Sequence, residues 1–329
     1  MTAPEPRTPF AASSPLRRGG DRVVHAIAGR QWLDRPSYEL EHGVALTFTL
    51  LGSAGRPVRS ALHGTWLGHP LHPVLTDVPI GAWTAAAVLD AVDAVSPRPE
   101  GYRDAARTAV ATGVVGAVAA AAAGVTDWQH THDDARRVGL VHGLVNAAAL
   151  GLQALSWRDR RRHRLGRARL AGTAGYAVVL AGAYLGGDLV FRHRVGTSHA
   201  DEQLEPRRFV PVLAVDDLEE DLPRRVEADG AALVLVKHAG EVSAVGQHCS
   251  HLGAPMSEGW VHRGQLVCPW HGSRFRLADG EPASGPATAP LAAYDVRVRD
   301  GQVEVRRAPP VRTATPGSTV GAGEAGGGS

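Results

Sequence analysis

The chain has 329 residues, a formal net charge of +2 and only two cysteines. That length accommodates two domains. Two cysteines exclude a disulfide-rich secreted scaffold, and the near-neutral charge offers no basic surplus for nucleic acid, so no nucleic-acid partner is expected. Lys237 is the one lysine, and the other basic residues are arginines.

Residues 1–20 and 308–329 are polar or rich in Pro, Gly, Thr and Ala, so both ends read as disordered. No n-region, apolar h-region and cleavage site opens the chain, so no secretory signal is expected. Residues 21–73 read as an amphipathic, helical N-terminal region. Four apolar runs then lie within residues 74–191: 78–89 (extending to 74–95), 108–126, 138–157 and 170–187. The last three contain no Asp, Glu, Lys or Arg. A bilayer-spanning helix needs about 20 mostly apolar residues, so this region predicts a four-helix transmembrane bundle. Gly139 with Gly143, and Gly182 with Gly186, carry the four-residue spacing that lets membrane helices approach closely. A soluble, alanine-rich bundle is the alternative. Spanning length and charged connectors favour the bilayer.

Four spans put both ends on one face. His63, His69, His72, His130, His132, His193 and His199 fall at that face, with His142 one turn inside, while His163 alone falls at the other. Intramembrane ionisable groups are functional candidates. His69, His72, His142 and His193 are therefore candidates to bind a b-type haem, a quinone headgroup together with Asp77 or Asp188, or a metal. The plainer alternative is that they cap helices and pair with Asp77, Asp127 and Asp188. Ten arginines flank the spans on the opposite face against six on the histidine face. The positive-inside rule then places the C-terminal domain outside the cytoplasm.

Residues 192–206 read as a linker. At up to ~3.3 Å per residue it is long enough for the following domain to dock or swing away. Within residues 207–307 the segments 209–214, 231–237, 241–245, 265–268, 294–299 and 302–306 alternate like strands. Gly280 and Asp300-Gly301 mark turns. An antiparallel sandwich or small barrel is expected. Both cysteines lie here, in Cys249-Ser250-His251 and Cys268-Pro269-Trp270-His271. One Cys and one His from each of two loops is the ligand set of a Rieske [2Fe–2S] centre. Zinc also accepts two Cys and two His, although usually from like spacings. A Cys249–Cys268 disulfide would leave both histidines without a role. Gly253 and Gly272 permit backbone close to an inorganic core, and Pro255 and Pro269 stiffen the loops.

With the flanking residues CSHLGAPMSEG and CPWHGSRF, residues 207–307 resemble the Rieske iron–sulfur family. The resemblance implies Cys249, His251, Cys268 and His271 as metal ligands. It implies that the loop at 284–290 covers the cluster and that the Ser273 hydroxyl bonds a bridging sulfide. The disulfide cysteines of the respiratory branch correspond to Ala254 and Trp270, and the tyrosine of the high-potential branch to Phe275. Losing that hydrogen bond to sulfur implies a lower potential and the ferredoxin-like branch. The segments GTWLGHPLHP (64–73), DVPIGAW (77–83) and LGGD (185–188) resemble an uncharacterised family of four-helix membrane domains with an HPxHP element, some fused to Rieske domains.

The expected fold class is thus α+β multidomain, a transmembrane four-helix bundle followed by an all-β Rieske domain. The expected protein is an integral, multi-pass, membrane-anchored carrier passing single electrons to or from a redox protein or quinone. The alternative is a component of a Rieske-type oxygenase or reductase system. An oxygenase needs a second iron on two His and a carboxylate, and little chain follows Val305 to build it. Whether the protein is itself an enzyme stays open.

Overall fold

The computed structural model describes residues 15–96, 100–200 and 205–308. Residues 1–14 and 309–329, part of the 97–101 connector and part of the linker lie outside the described residues.

Three shorter helices, α1 (Pro15–Ala28), α2 (Asp34–Leu50) and α3 (Gly55–His63), precede four long ones. These are α4 (Leu71–Val95), α5 (Glu100–Trp128), α6 (Asp133–Arg161) and α7 (Leu165–Phe191). All four are long and apolar enough to cross a membrane. Helix α1 begins inside the segment read as disordered. Its Val24 is buried with Val138, Leu185 and Leu189 of α6 and α7, and that apolar contact outweighs the polar composition.

Helices α4 and α5 pack as one hairpin, α6 and α7 as another. Small residues bring them close, because a Cβ on Gly113 would lie 2.2 Å from Trp83 Nε1. Of the spaced glycines, Gly139 abuts Trp128, Gly182 abuts Asn146 and Gly186 abuts His142. Gly143 meets nothing within 4 Å, so it is not at a helix crossing.

At the end of the bundle away from the C-terminal domain, one ion network ties all four long helices. Arg160 Nη1 donates to Asp90 Oδ1 at 2.9 Å, Arg103 Nε donates to Asp93 Oδ1 at 3.1 Å, and Arg169 reaches both aspartates. Asp93 is 5% exposed. Asp93→Ala strands the Arg103 guanidinium and leaves Arg169 with Asp90 alone, beside a closed helix junction. Breaking a buried pair costs about 3–5 kcal/mol, and half-exposed Arg103 puts this one at the low end. A drop of roughly 5–10 °C in thermal unfolding in detergent is expected. An unchanged transition would mean that solvent replaces the network.

The C-terminal domain has ten strands: β1 (Val210–Ala214), β2 (Arg224–Ala228), β3 (Ala231–His238), β4 (Glu241–Gly246), β5 (Trp260–His262), β6 (Gln265–Val267), β7 (Arg274–Arg276), β8 (Pro282–Ser284), β9 (Ala293–Arg299) and β10 (Gln302–Arg307). Antiparallel pairing orders them β1-β10-β9-β4-β3-β2 in one sheet and β5-β6-β7-β8 in the other, forming a nearly closed barrel. Alternation places Leu233, Leu235, Val303 and Val305 in one core. Met256, Leu266 and Phe275 form a second core with both cysteines. The expected strands are all present. Strand β2 and the three-residue β5, β7 and β8 are additional. The sequence RRVEA of β2 reads as polar surface, yet it is paired along β3 from Arg224↔Leu235 to Ala228↔Ala231.

Candidate metal centre

Cys249 follows β4 and Cys268 follows β6, each opening an arch with the same hydrogen bonds. Cys249 N–H donates to Ala254 O at 2.9 Å, and Gly253 N–H returns to Cys249 O at 2.8 Å. Cys268 N–H donates to Ser273 O at 2.8 Å, and Gly272 N–H returns to Cys268 O at 3.1 Å. Gly253 and Gly272 close the arches at φ of +77° and +72°, the left-handed region that favours glycine. Inside each arch two backbone N–H groups point at sulfur, those of His251 and Leu252 at Cys249 and those of Trp270 and His271 at Cys268.

Both thiols are free, buried and hydrogen-bonded to each other. That bond, and then burial, pushes the Cys249 thiol up, while the same bond and the backbone N–H groups hold Cys268 down to about 7. The His251 and His271 rings lie 5.0 Å apart. Burial holds His251 far below the ordinary imidazole range and lowers His271 to about 4. His251 Nδ1 is buried with no hydrogen-bond partner. Two thiols and two neutral imidazoles, one of them with an orphaned nitrogen, are donors that iron accepts. The loop after β8 closes over both arches. Ala287 N–H donates to Ser273 Oγ at 2.9 Å, and Ser250 Oγ donates to Ala289 O at 2.6 Å.

Residues 208–295 match the family model described as Rieske [2Fe-2S] domain. Ferredoxin CarAc of Metapseudomonas resinovorans is 37% identical over 98 residues, covering 30% of this chain and 92% of the ferredoxin. The chain belongs to the Rieske [2Fe–2S] family. Membership implies a [2Fe–2S] cluster, and the donor set just described fits one. Residues 68–199 match the model described as Predicted membrane protein (DUF2231). Apoptosis-inducing factor 3 of Mus musculus is 34% identical over 117 residues, 33% of this chain, and the chain spans 19% of that protein's length. Among solved structures, the ferredoxin of carbazole 1,9a-dioxygenase from Nocardioides aromaticivorans IC177 is 30% identical, covering 30% of this chain and 98% of that one with a TM-score of 0.30.

The imidazole edges of the Rieske domain turn toward the bundle. His130, in the turn between α5 and α6, lies 5.4 Å from His251 and 4.9 Å from His271, ring centre to ring centre. His132 stacks on His271 at 5.9 Å. Behind His130 sits His63, 5.5 Å away, with Nδ1 2.7 Å from Asp127 Oδ1. Nε2 of both His63 and His130 is buried without a partner. A cavity of about 50 Å³ lies between the domains, bounded by His63, Asp127, His130, His251 and Pro286.

The junction is stitched at two further points. Gly285 N–H donates to Ser60 Oγ at 2.8 Å, and His199 N–H donates to Ser250 O at 2.8 Å. The first part of the linker is therefore pinned rather than a free tether. Val195 packs on the α1, α6 and α7 core, and Gly196 lies against Pro70. Residues 201–204 lie outside the described residues.

Sequence reasoning placed His63, His130 and His132 on this face but did not select them. The signal was the turn QHTHDD at 129–134, two histidines on the face from which the Rieske domain emerges. The residues selected for haem or quinone behave differently. His69 is exposed, with Nδ1 3.1 Å from Pro70 O. His193 pairs with Asp188 at 3.4 Å. Only His72 and His142 converge, at 6.3 Å. Their Nδ1 atoms sit 2.8 and 2.9 Å from the carbonyls of Ala120 and Gly182. A Cβ on Gly124 would lie 2.7 Å from His72, and one on Gly186 3.0 Å from His142. The helices close directly on both rings, so a haem is not supported there, and the carbonyl bonds account for both imidazoles.

Proposed function

We propose that the protein is a membrane-anchored one-electron carrier whose cluster is held by Cys249 and Cys268 on one iron and His251 and His271 on the other. The matched arches, with two buried thiols and two neutral imidazoles, carry this reading. When bound, the cluster accepts and returns a single electron. The chain's own residues set the surroundings. Backbone N–H groups at 251, 252, 270 and 271 point at the cysteine sulfurs, Ser273 Oγ accepts from Ala287 N–H and so would keep its own proton to donate to a bound cluster, and the apolar core around Phe275 excludes water. His130 and His132 cover the imidazole edges from the bundle side. Trp270, 55% exposed and 6.4 Å from the His271 ring, offers an outlet to a redox protein. Residues 74–191 serve as the anchor and 207–307 as the electron-transfer domain. The arginine excess at the far end of the bundle supports a Rieske domain outside the cytoplasm.

A Rieske-type oxygenase component is the second reading. Among the described residues one further group of metal donors exists, Glu220, Asp221 and His238. It offers one imidazole where the facial iron triad has two, and Glu220 and Asp221 are exposed, which favours the carrier.

A redox titration of membranes tests the proposal. One reversible one-electron wave is expected, in the lower part of the Rieske range of about −150 to +300 mV, because Phe275 offers no hydroxyl to sulfur. Oxygen uptake that depends on an added organic substrate would favour the oxygenase component. A midpoint near the top of the range would remove the role assigned to Phe275. Reduction by a quinol in place of a protein donor would identify the other partner class.

A further inference from the structure

On one flank of the junction an open groove of about 670 Å³ runs between α3 and the small Rieske sheet. Both domains line it, with Arg56, Ser60 and Trp66 from one side and Gln265, Arg274 and Arg276 from the other. Outside the lining itself, Arg59 follows Arg56 on the same helix and also acts on His130, and Arg263 lies in the β5–β6 turn at the Gln265–Arg276 end of the sheet. Burial first, then the neighbouring guanidiniums, holds Arg274 below its ordinary value, with Arg56 and Arg263 acting on it and Arg56 acting on Arg59. The nearby carboxylates are engaged elsewhere, since Asp279 bonds Arg276 and Glu281 acts on Arg276 too. Among the described residues Arg56, Arg59, Arg263 and Arg274 have no carboxylate partner. Arg136, Arg137, Arg160 and Arg169 all do. Four like charges straddle an interface they should push apart.

The groove also has a definite depth. Gly64 packs on the first turn of α4, where a Cβ would lie 2.3 Å from His69 O and 2.6 Å from Leu71 N. Thr65 and Trp66 therefore lie where α4 enters the bilayer. Trp66 is 68% exposed, as an indole at headgroup level is. Leu50 at the end of α2, Leu51 just after it and Val58 of α3 are exposed as well.

We propose that this groove binds the phosphate of an anionic phospholipid, which bridges the arginines of α3 to those of the Rieske domain and holds that domain docked on His130 and His132. The anion converts a repulsive flank into an attractive one through charge-assisted, forked guanidinium bonds. A lipid fits better than free phosphate because the exposed leucines and Trp66 receive an acyl chain, and a bilayer presents anionic headgroups at high local density. The inference rests on the bundle spanning a bilayer and not on which molecule exchanges electrons with the cluster.

The test places the full-length, cluster-loaded protein in nanodiscs of phosphatidylcholine alone or with phosphatidylglycerol. Docking is read as protection of the 192–206 segment from limited proteolysis, and bound lipid by native mass spectrometry after delipidation. Phosphatidylglycerol should slow cleavage at least several-fold and remain bound. Arg56→Gln with Arg263→Gln, both at exposed positions, should lose the protection and the retained lipid while keeping the cluster's paramagnetic signal. Arg56→Glu supplies the missing anion from the chain, so it should be protected in phosphatidylcholine alone. Equal protection of the wild type in both discs overturns the proposal. So does full protection by inorganic phosphate in phosphatidylcholine discs, which would make the groove a general phosphate site.

Discussion

Cys249→Ser is expected to reduce the [2Fe–2S] signal of purified protein to background, with iron content falling in parallel. The chain has two cysteines, so no third thiol can take over. Serine offers a harder oxygen donor of much higher pKa, which stays protonated where a thiolate is needed. His271→Ala should have the same outcome on the other iron. That loss is not simple unfolding, because Val234, Val236, Met256, Leu266 and Phe275 build a core around the cysteines that survives a one-atom change. Far-ultraviolet circular dichroism should therefore change little in Cys249→Ser. The paired measurement is electron paramagnetic resonance of the dithionite-reduced sample with iron quantified on the same protein. A Rieske signal persisting at full intensity without Cys249 would end the ligand assignment.

Gly285→Leu should undock the Rieske domain while sparing its cluster. Gly285 sits over α3, where a Cβ would already lie 2.7 Å from Thr65 Oγ1 and 3.3 Å from His63 Cβ. A leucine there must displace one domain from the other. Overpacking of this kind costs about 1–3 kcal/mol. The loop can retreat with its own domain, so the cost falls on the junction and not on the Rieske core. Ser60→Ala is the gentler companion, removing the bond from Gly285 N–H and the one Ser60 Oγ donates to Ser284 Oγ at 3.3 Å, each worth about 0.5–1.5 kcal/mol. Dipolar broadening between the reduced cluster and a nitroxide placed on the α5–α6 turn reports the separation. The expected order of separation is wild type, then Ser60→Ala, then Gly285→Leu, with cluster content equal in all three. Unchanged broadening in Gly285→Leu would show that this edge does not hold the domains together.

The parts that were legible in the sequence are those whose cause is local. The long helices announce themselves because a bilayer needs an uninterrupted apolar run, and residues 108–126, 138–157 and 170–187 contain no fixed charge. Strands β9 and β10 announce themselves because alternating apolar residues reach one face at every second position, and β3 because its continuous apolar run from Ala231 to Val236 is buried on both faces. The metal donors are legible because each cysteine and its histidine share one short arch. Strands β5, β7 and β8 have three residues each, too few to establish a period. Helix α1 reads as polar until α6 and α7 give Val24 somewhere to be buried. The haem assignment finds no support because a histidine's depth in a span does not say what covers its ring, and here Gly124 and Gly186 let neighbouring helices close on His72 and His142. The meeting of His63 and His130 with His251 and His271 was beyond local reading altogether. It joins residues more than a hundred positions apart, and it exists because the Rieske domain packs on the same end of the bundle that carries the α5–α6 turn. The unpaired arginines of the groove have the same origin, since Arg56 and Arg274 become neighbours only when two separately folded domains dock.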